Sequence, residues 1–356
     1  MSHPRRWLPG QTHAISRRVV GRRLLLKPTS FVNEVFLYAL ARAKQLNPQV
    51  SLHGFVAESN HTHANVTDTR KNTGTHSQLS SFFASLNRLT AAALNTHYGR
   101  GENLWAVGSF SNVEVHGRRS IEQQLLYLWT NPVKDGLVAR PEDWPGICFM
   151  PEDFGRTIQV FKPDGAFFGG RRGGGATDPD AHESWQAELA REEAEARALL
   201  KNGPPARRRE RVRTTLPEVI ELKIDPPPGY QHMPLEAVRA HFRALLDAEL
   251  QRIHLARRAA GLASFVGPRA VLSQSPFDSA GGTWPSFKTS PRIACRGDNQ
   301  RRIALLVGLS EWRAEYRLAY EALEKKVSVW FPAGTHKLAG LPWVRVRQAT
   351  GPPLAA

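Results

Sequence analysis

The order of hydrophobic periodicities in the first 146 residues constrains the fold more than any other feature of this sequence. Buried strands repeat their apolar positions every two residues, whereas amphipathic helices repeat them every three to four. The strand-like segments are residues 13–20, 50–56, 61–66 and 108–116, and the helix-like segments are residues 31–46, 78–94 and 119–130. The predicted order is therefore β-α-β-β-α-β, followed by one further helix.

This element order is typical of the ferredoxin-like split βαβ unit. Such a unit is an α+β fold, in which helices cover one face of an antiparallel sheet. We therefore expect helices on one face of the sheet and a free second face. Ser30 precedes the first helical segment and is the expected N-cap of that helix.

The chain is long enough for more than one folded unit. It has 356 residues, and domains commonly contain about 100–200. We predict a ferredoxin-like unit over residues 8–147, a linker over 148–232 and a mainly helical unit over 233–345. The features of the linker are a glycine-rich stretch at 169–175, a charged helix at 180–201 and a basic run at 207–213. The helices of the last unit are expected at 234–261 and 311–325.

The net charge indicates an anionic partner. The chain carries 48 Lys and Arg against 32 Asp and Glu, which gives a net charge of +16. Nucleic acid is the first candidate for a protein this basic. No apolar run approaches the ~18–20 residues that span a membrane, so no membrane partner is expected. The chain start does not resemble a secretory signal, and two cysteines fit a reducing compartment, so a cytoplasmic location is expected.

Two histidines stand at the start of the third predicted strand. Residues i and i+2 of a strand point to the same face, so His61 and His63 can approach one ion on the free face of the sheet. Neutral imidazoles are common ligands of divalent metals. The spacing alone is a weak signal, because the chain contains 13 histidines.

A tyrosine and an asparagine lie four residues apart in the last helix-like segment of this unit. Residues i and i+4 share a helix face, so Tyr127 and Asn131 are expected to project together. Pro132 is expected to end the helix and leave Asn131 on its last turn. A buried aromatic in an amphipathic helix is the simpler interpretation of Tyr127, and the residues alone do not exclude it.

Taken together, these motifs resemble the REP-associated tyrosine transposases, which are bacterial relatives of the single-strand insertion-sequence transposases. The resemblance covers roughly residues 8–147. Its motifs are His61-Thr62-His63, the Leu104-Trp105…Gly108…Phe110 strand entry, Tyr127-x-x-x-Asn131-Pro132-Val133-Lys134-x-Gly136-Leu137, and Glu142-Asp143-Trp144-Pro145. In this family the residue between the histidines is usually bulky and apolar, whereas here it is Thr62.

The resemblance implies a fold, a reaction and a set of site residues. It implies a ferredoxin-like nuclease domain that cleaves and rejoins single-stranded DNA at hairpin repeats through a 5′-phosphotyrosine intermediate. The nucleophile would be Tyr127, and His61, His63 and Asn131 would hold Mg²⁺ or Mn²⁺. The implied location is the bacterial cytoplasm, in association with the nucleoid. Monomers and homodimers both occur among related enzymes, so the oligomeric state stays open.

Arginines near these motifs are the candidate DNA contacts. They are Arg17, Arg18, Arg22, Arg23, Arg118 and Arg119. Two alternative functions remain open. One is a DNA-hairpin-binding protein that has kept the fold and lost cleavage. The other is a metal-dependent phosphohydrolase that uses activated water instead of the tyrosine.

Overall fold

A computed structural model of the protein describes residues 4–70, 77–169, 216–281, 291–325, 327–336 and 338–348. The helix predicted at 180–201 and the basic run at 207–213 lie outside these residues. So does most of the glycine-rich stretch at 169–175, of which only Gly169 is described.

The first 147 residues form the predicted series of strands and helices. Its elements are β1 (Thr12–Arg18), α1 (Ser30–Leu46), β2 (Val50–Ala57), β3 (His61–Asp68), α2 (Leu79–His97), β4 (Ser111–His116) and α3 (Arg118–Lys134). The prediction of a mixed α and β fold is therefore confirmed. The N-cap of α1 is Thr29 rather than Ser30, because the Thr29 side chain accepts a hydrogen bond from the Val32 amide.

The sheet has five strands in the order β2-β3-β1-β4-β7, where β7 is Ile293–Cys295. The pairs β2-β3, β3-β1 and β1-β4 are antiparallel, so β3 lies between the two strands that flank α1. The fifth strand, β7, pairs in parallel with β4 and comes from the C-terminal part of the chain. The sheet is therefore one strand wider than the sequence predicts.

Helices lie on both faces of this sheet, which corrects the prediction of one covered face. Phe36 of α1 packs against Phe55 of β2, with ring centroids 5.7 Å apart. The neighbouring residue Gly54 faces the opposite side, where the side-chain ends of Leu125 and Leu128 of α3 would lie 3.0 Å and 3.4 Å from a Cβ atom at that position. The face predicted to be free is therefore covered in part by α3.

Pro132 does not end α3, which also corrects the prediction. The helix continues to Lys134, with Pro132 inside it. A proline inside a helix removes one backbone hydrogen bond and crowds the carbonyl four residues earlier. The helix nevertheless continues beyond Pro132, and the Asp135 amide donates to the Asn131 carbonyl over 2.9 Å. Gly136, with a φ of 74°, then turns the chain away. Asp135, the C-cap residue of α3, lies immediately before this turn.

The later part of the chain packs against the first. The predicted linker contains β5 (Thr157–Phe161) and β6 (Val219–Lys223), an antiparallel pair that contacts α1. The further elements are α4 (Leu235–Ala259), α5 (Pro268–Ser273), α6 (Asn299–Glu324), β8 (Val329–Phe331) and β9 (Val344–Val346). The sequence predicted only the second half of α6, as a helix over residues 311–325. The three-part division of the chain stays a prediction.

One hydrophobic core joins the first 147 residues to α4. The Phe242 side chain of α4 is fully buried, and its ring lies 5.9 Å from that of Trp129 in α3 and 5.5 Å from that of Phe154. Such edge-to-face contacts add to the free energy gained by burying the rings. The position of α3 therefore depends on residues that lie beyond the resemblance.

We expect Phe242→Ala to destabilise the whole protein. Loss of a fully buried phenylalanine costs about 3–5 kcal/mol. Because Phe242 shares a core with Trp129, urea unfolding followed by far-ultraviolet circular dichroism and by tryptophan fluorescence should shift together. Leu255→Ala, at a site that is 66% exposed on the same helix, is the control and should have little effect. Two separate transitions, only one of them shifted, would contradict the shared core.

None of the described helices is both long enough and apolar enough to cross a membrane.

Candidate functional site

The turn between β2 and β3 holds the first part of the site in place. Two carbonyl groups of the turn accept hydrogen bonds from an earlier segment of the chain. The Val19 amide donates to the Asn60 carbonyl over 2.8 Å, and the Leu26 amide donates to the Ser59 carbonyl over 2.9 Å. Across the turn, the Glu58 amide donates to the His61 carbonyl over 2.9 Å. These bonds fix the backbone from which the Glu58 and His61 side chains project.

The two histidines of β3 project to the same face of the sheet, as the sequence predicts. Their ring centroids lie 4.9 Å apart. The Asn60 side-chain oxygen lies 2.6 Å from His61 Nδ1 and fixes that nitrogen as the donor. The Nε2 atom of His63 is buried and has no hydrogen-bond partner. Thr62 faces the other side of the sheet, opposite Arg17 of β1, so the departure from the family pattern does not lie on the histidine face.

Helix α3 brings Tyr127 and Asn131 to these histidines. The Tyr127 ring meets the His63 ring edge-on, with centroids 5.3 Å apart. The Asn131 side-chain nitrogen lies 2.9 Å from His61 Nε2, to which it donates a hydrogen bond. Asn131 is 4% exposed, whereas Tyr127 is 44% exposed. The tyrosine is therefore accessible to a ligand in the surrounding groove, and the simpler interpretation of it as a buried core aromatic does not hold.

Two acidic residues that the sequence analysis missed complete the cluster. Ligand atoms of Glu58, His61 and Asp135 all lie within 4.8 Å of one another. Glu58 is 2% exposed, and its Oε1 atom has no hydrogen-bond partner. The signal for Asp135 was its place beside Gly136 in the motif that follows the tyrosine, and the signal for Glu58 was its place three residues before His61.

Burial keeps both imidazoles neutral. It lowers the pKa of His61 to about 4, with further lowering by the positive charges of Arg18 and Arg22. It also lowers the pKa of His63 well below its usual value, and the neighbouring His61 adds to this effect. A metal ion needs the neutral form of histidine, so both rings are ready to act as ligands at neutral pH.

Burial raises the pKa values of the acidic groups, whereas it lowers those of the histidines. Burial and the nearby Asp135 raise the pKa of Glu58 well above its usual value, and burial also raises the pKa of Asp135. Burial raises the pKa of Tyr127, and the charges of Asp135 and Glu58 raise it further. A cation would offset each of these shifts. The crowded acids and the two unpartnered atoms, His63 Nε2 and Glu58 Oε1, fit a bound divalent metal.

The cluster opens into a groove of about 1340 Å³. Its lining residues are Ser16, Arg17, Arg18, Arg22, Leu24, Glu58, Ser59, Asn60, His61, His63, Gly108, Ser109, Phe110, Ser111, Tyr127, Asp135, Leu137, Gln274, Asp278, Ser279, Ala280, Gly281 and Arg292. Arg18 is opposite His61 across the β1-β3 pair, which explains its effect on the His61 pKa. Arg292, from the C-terminal part, was not predicted.

The predicted DNA contacts divide into two groups. Arg17, Arg18 and Arg22 line the groove. The other three do not line it: Arg23 pairs through its backbone with Ser279, and Arg118 and Arg119 lie at the start of α3. The start of α3 is about 13 Å along the helix axis from Tyr127. Arg118 stacks its guanidinium on the Tyr230 ring, 4.5 Å from the centroid.

We expect the metal-free protein to lose stability as the pH falls from about 6.5 to 4. The unfolded state takes up a proton on His61 near pH 6.5, but the folded state does so only at about pH 4. Between these values the unfolded state binds more protons, so the free energy of unfolding rises with pH. A single such histidine contributes up to about 3 kcal/mol.

Urea unfolding in EDTA at several pH values measures this dependence. His13 and His53 also have their pKa values lowered to about 4 by burial, so they contribute to the same fall. The His61→Gln variant should lose less stability than the wild type over this range. An identical pH dependence in both proteins would contradict the assignment of a neutral, buried His61.

No protein-family model and no curated protein matches this sequence. Among the solved structures that are similar to parts of the chain are two transposase structures. A REP-associated tyrosine transposase bound to a REP hairpin is 21% identical, with a TM-score of 0.35, over 43% of this chain and 85% of its own. A protein from Deinococcus radiodurans R1, described as a candidate transposase, is 16% identical, with a TM-score of 0.25, over 35% of this chain and 93% of its own. Similarities this low assign neither an activity nor a ligand to this chain.

Proposed function

We propose that this protein is a divalent-metal-dependent tyrosine transposase. It cleaves and rejoins single-stranded DNA at hairpin repeats, with Tyr127 as the nucleophile. The proposal combines the motif resemblance over residues 8–147 with the geometry of the groove. The observation that carries it is the position of Tyr127: an accessible phenol whose ring lies 5.3 Å from that of His63, beside a histidine and carboxylate cluster.

Attack by the Tyr127 oxygen requires a positive charge close to the phenol. A phenol with a pKa near ~10 is a poor nucleophile at neutral pH, and the pKa of Tyr127 is raised further by burial and by two carboxyl groups. A divalent cation held by His61, His63 and the nearby carboxylates would offset those negative charges and polarise the phosphate. Asn131, which already reaches the Nε2 atom of His61, is the expected additional ligand through its amide oxygen.

The proposed step exchanges one phosphoester bond for another. The Tyr127 oxygen attacks the phosphorus of a phosphodiester, the bond from phosphorus to the 3′ oxygen breaks, and the phenolic proton is passed on to give a free 3′-hydroxyl. The 5′ end of the downstream strand is then linked to the tyrosine. Because the bond energy is kept in this phosphotyrosine, a second 3′-hydroxyl can attack it and rejoin the strands without an external energy source.

The groove supplies charge for holding the strand. Arg18 and Arg22 line it, and their charges act on His61. Arg17 and Arg292 line the groove as well. Guanidinium groups form strong paired hydrogen bonds with phosphate oxygens. This placement supports Arg17, Arg18 and Arg22 as strand contacts. Arg23, Arg118 and Arg119 do not line the groove, so its geometry does not support them as strand contacts.

Incubation of the purified protein with single-stranded hairpin oligonucleotides and Mg²⁺ or Mn²⁺ tests the proposal. We expect a covalent protein-DNA adduct that survives denaturing electrophoresis and disappears when EDTA is added beforehand. A protein that has lost cleavage would bind the hairpin without an adduct, whether or not metal is present. A phosphohydrolase would release cut DNA without an adduct.

A further inference from the structure

Residues 262–281, which we call the strap, connect α4 to the groove. The strap contains α5, in which Val271 is fully buried. Farther along, the ring of Phe277 lies 5.7 Å from that of Tyr98. The strap is therefore packed into the first part of the molecule and is not a loose connection.

One end of the strap is bonded to the turn that carries Asp135. The Val266 amide donates to the Gly136 carbonyl over 2.9 Å, and the Gly267 amide donates to the Leu137 carbonyl over 2.8 Å. Because Asp135 immediately precedes these two residues, the strap helps to hold the acidic cluster in position.

The other end of the strap is bonded to the loop that carries Arg22. The Leu24 amide donates to the Asp278 carbonyl over 2.8 Å, and the Ala280 amide donates to the Arg22 carbonyl over 3.1 Å. The Ser279 hydroxyl donates to the Gly21 carbonyl over 3.1 Å. The strap thus joins the two loops that flank the site, and it forms part of the groove wall itself.

The strap wall differs in chemistry from the arginine-lined part of the groove. Its lining residues are Gln274, Asp278, Ser279, Ala280 and Gly281. They offer an amide, a carboxylate, a hydroxyl and backbone groups, and none of their side chains is positively charged. The Lys27 ammonium donates to the Gln274 carbonyl over 2.8 Å, and its charge interacts with that of Asp278. The Asp278 carboxylate repels phosphate, whereas the arginines attract it. A strand in this groove would therefore turn its phosphates toward the arginines and its bases toward the strap.

We propose that the strap reads bases of the single strand and that Asp278 is a specificity-determining residue. This inference rests on the proposed function, in that it takes single-stranded DNA as the ligand of the groove. Asp278 is exposed, and a carboxylate accepts hydrogen bonds from the exocyclic amino groups of adenine, cytosine and guanine. Thymine has no such group. The preferred strand carries an amino-bearing base where it passes Asp278.

Selection from a single-stranded DNA library of random sequence, at fixed salt and in EDTA, tests this role with the full-length protein. Wild type should enrich an amino-bearing base over thymine by about 10-fold at one position or more. Asp278→Ala should lose that enrichment. The Asp278 side chain also accepts a 3.3 Å hydrogen bond from the Ser275 amide, so Asp278→Asn, which keeps an acceptor there, is the second variant. Asp164→Asn, at an exposed position outside the groove, is the matched control and should keep the wild-type profile.

Each result of this selection either supports or overturns the role of Asp278. A base profile that is unchanged in both Asp278 variants, or a wild type with no base preference, would overturn the role of Asp278. A rise in affinity that is equal for all sequences would show that Asp278 acts only by repelling phosphate, and would overturn it too. In each of these cases the protein can still form the covalent adduct with DNA. A failure of the Asp278 proposal therefore leaves the proposed function intact. A wild type that binds no single strand would overturn both proposals.

Discussion

Tyr127→Phe abolishes the covalent protein-DNA adduct and lowers strand cleavage by at least about 1000-fold, if Tyr127 is the nucleophile. The substitution removes only the hydroxyl group that would form the phosphotyrosine bond. The phenylalanine ring keeps the edge-on contact with His63, so the fold and the metal cluster should be unaffected. The measurement is the amount of adduct after denaturing electrophoresis with a labelled oligonucleotide, at matched protein and metal concentrations.

Tyr320→Phe is the matched control for this loss. Tyr320 is 42% exposed, close to the 44% of Tyr127, but it lies on α6 and does not line the groove. It should form the adduct at the wild-type rate. Hairpin binding by Tyr127→Phe should also stay near the wild-type value, which separates a lost reaction from a lost ligand. Cleavage that persists in Tyr127→Phe would instead indicate attack by water, as in a phosphohydrolase.

The second large effect is expected at the metal cluster. His61→Ala should weaken Mn²⁺ binding by at least about 100-fold, more than the loss of an outer partner of a ligand costs. His61 contacts Asn131, His63 and the carboxyl of Glu58, so its removal takes out the central member of the cluster. Calorimetric titration with Mn²⁺ measures the binding directly, and the adduct should disappear in the same variant.

His232→Ala is the control for this variant, since His232 is exposed and lies outside the groove. Two further variants separate the ligand sets. Asp135→Asn tests the cluster in which Asp135 lies near Glu58 and His61, and Asn131→Ala tests the ligand that the resemblance implies. We expect both to weaken Mn²⁺ binding. Hairpin binding that is indifferent to metal and to His61→Ala, with no adduct in either protein, would favour a DNA-binding protein without cleavage.

Local patterns predicted the secondary structure of the first 147 residues well, because strand and helix periodicity depends on neighbouring residues. In the rest of the chain they missed β5, β6, β7 and the first half of α6. From spacing alone, the same reasoning placed His61 and His63 on one face of the sheet. It also placed Tyr127 and Asn131 on one face of a helix. Both expectations agree with the arrangement in the structure. The roles of these four residues remain proposals, since spacing and position do not establish a reaction.

Contacts between distant segments could not be predicted in this way. No local signal states which face of the sheet α3 covers, and that face decides whether Tyr127 meets the histidines. Asp135 reaches Glu58 because α3 continues past Pro132 as far as Lys134, which makes Asp135 its C-cap residue. The strap has little periodicity, and its contribution to the groove depends on backbone bonds to residues more than 100 positions away. Such long-range contacts are set by tertiary packing.

The central claim is a bond between Tyr127 and the 5′ end of a cleaved strand. Mass spectrometry of the adduct, after digestion with protease and nuclease, tests it most directly. We expect a peptide containing Tyr127 that carries a nucleotide attached through its 5′ phosphate, together with a released fragment that ends in a 3′-hydroxyl. A nucleotide on another residue, or a linkage through a 3′ phosphate, would contradict this account.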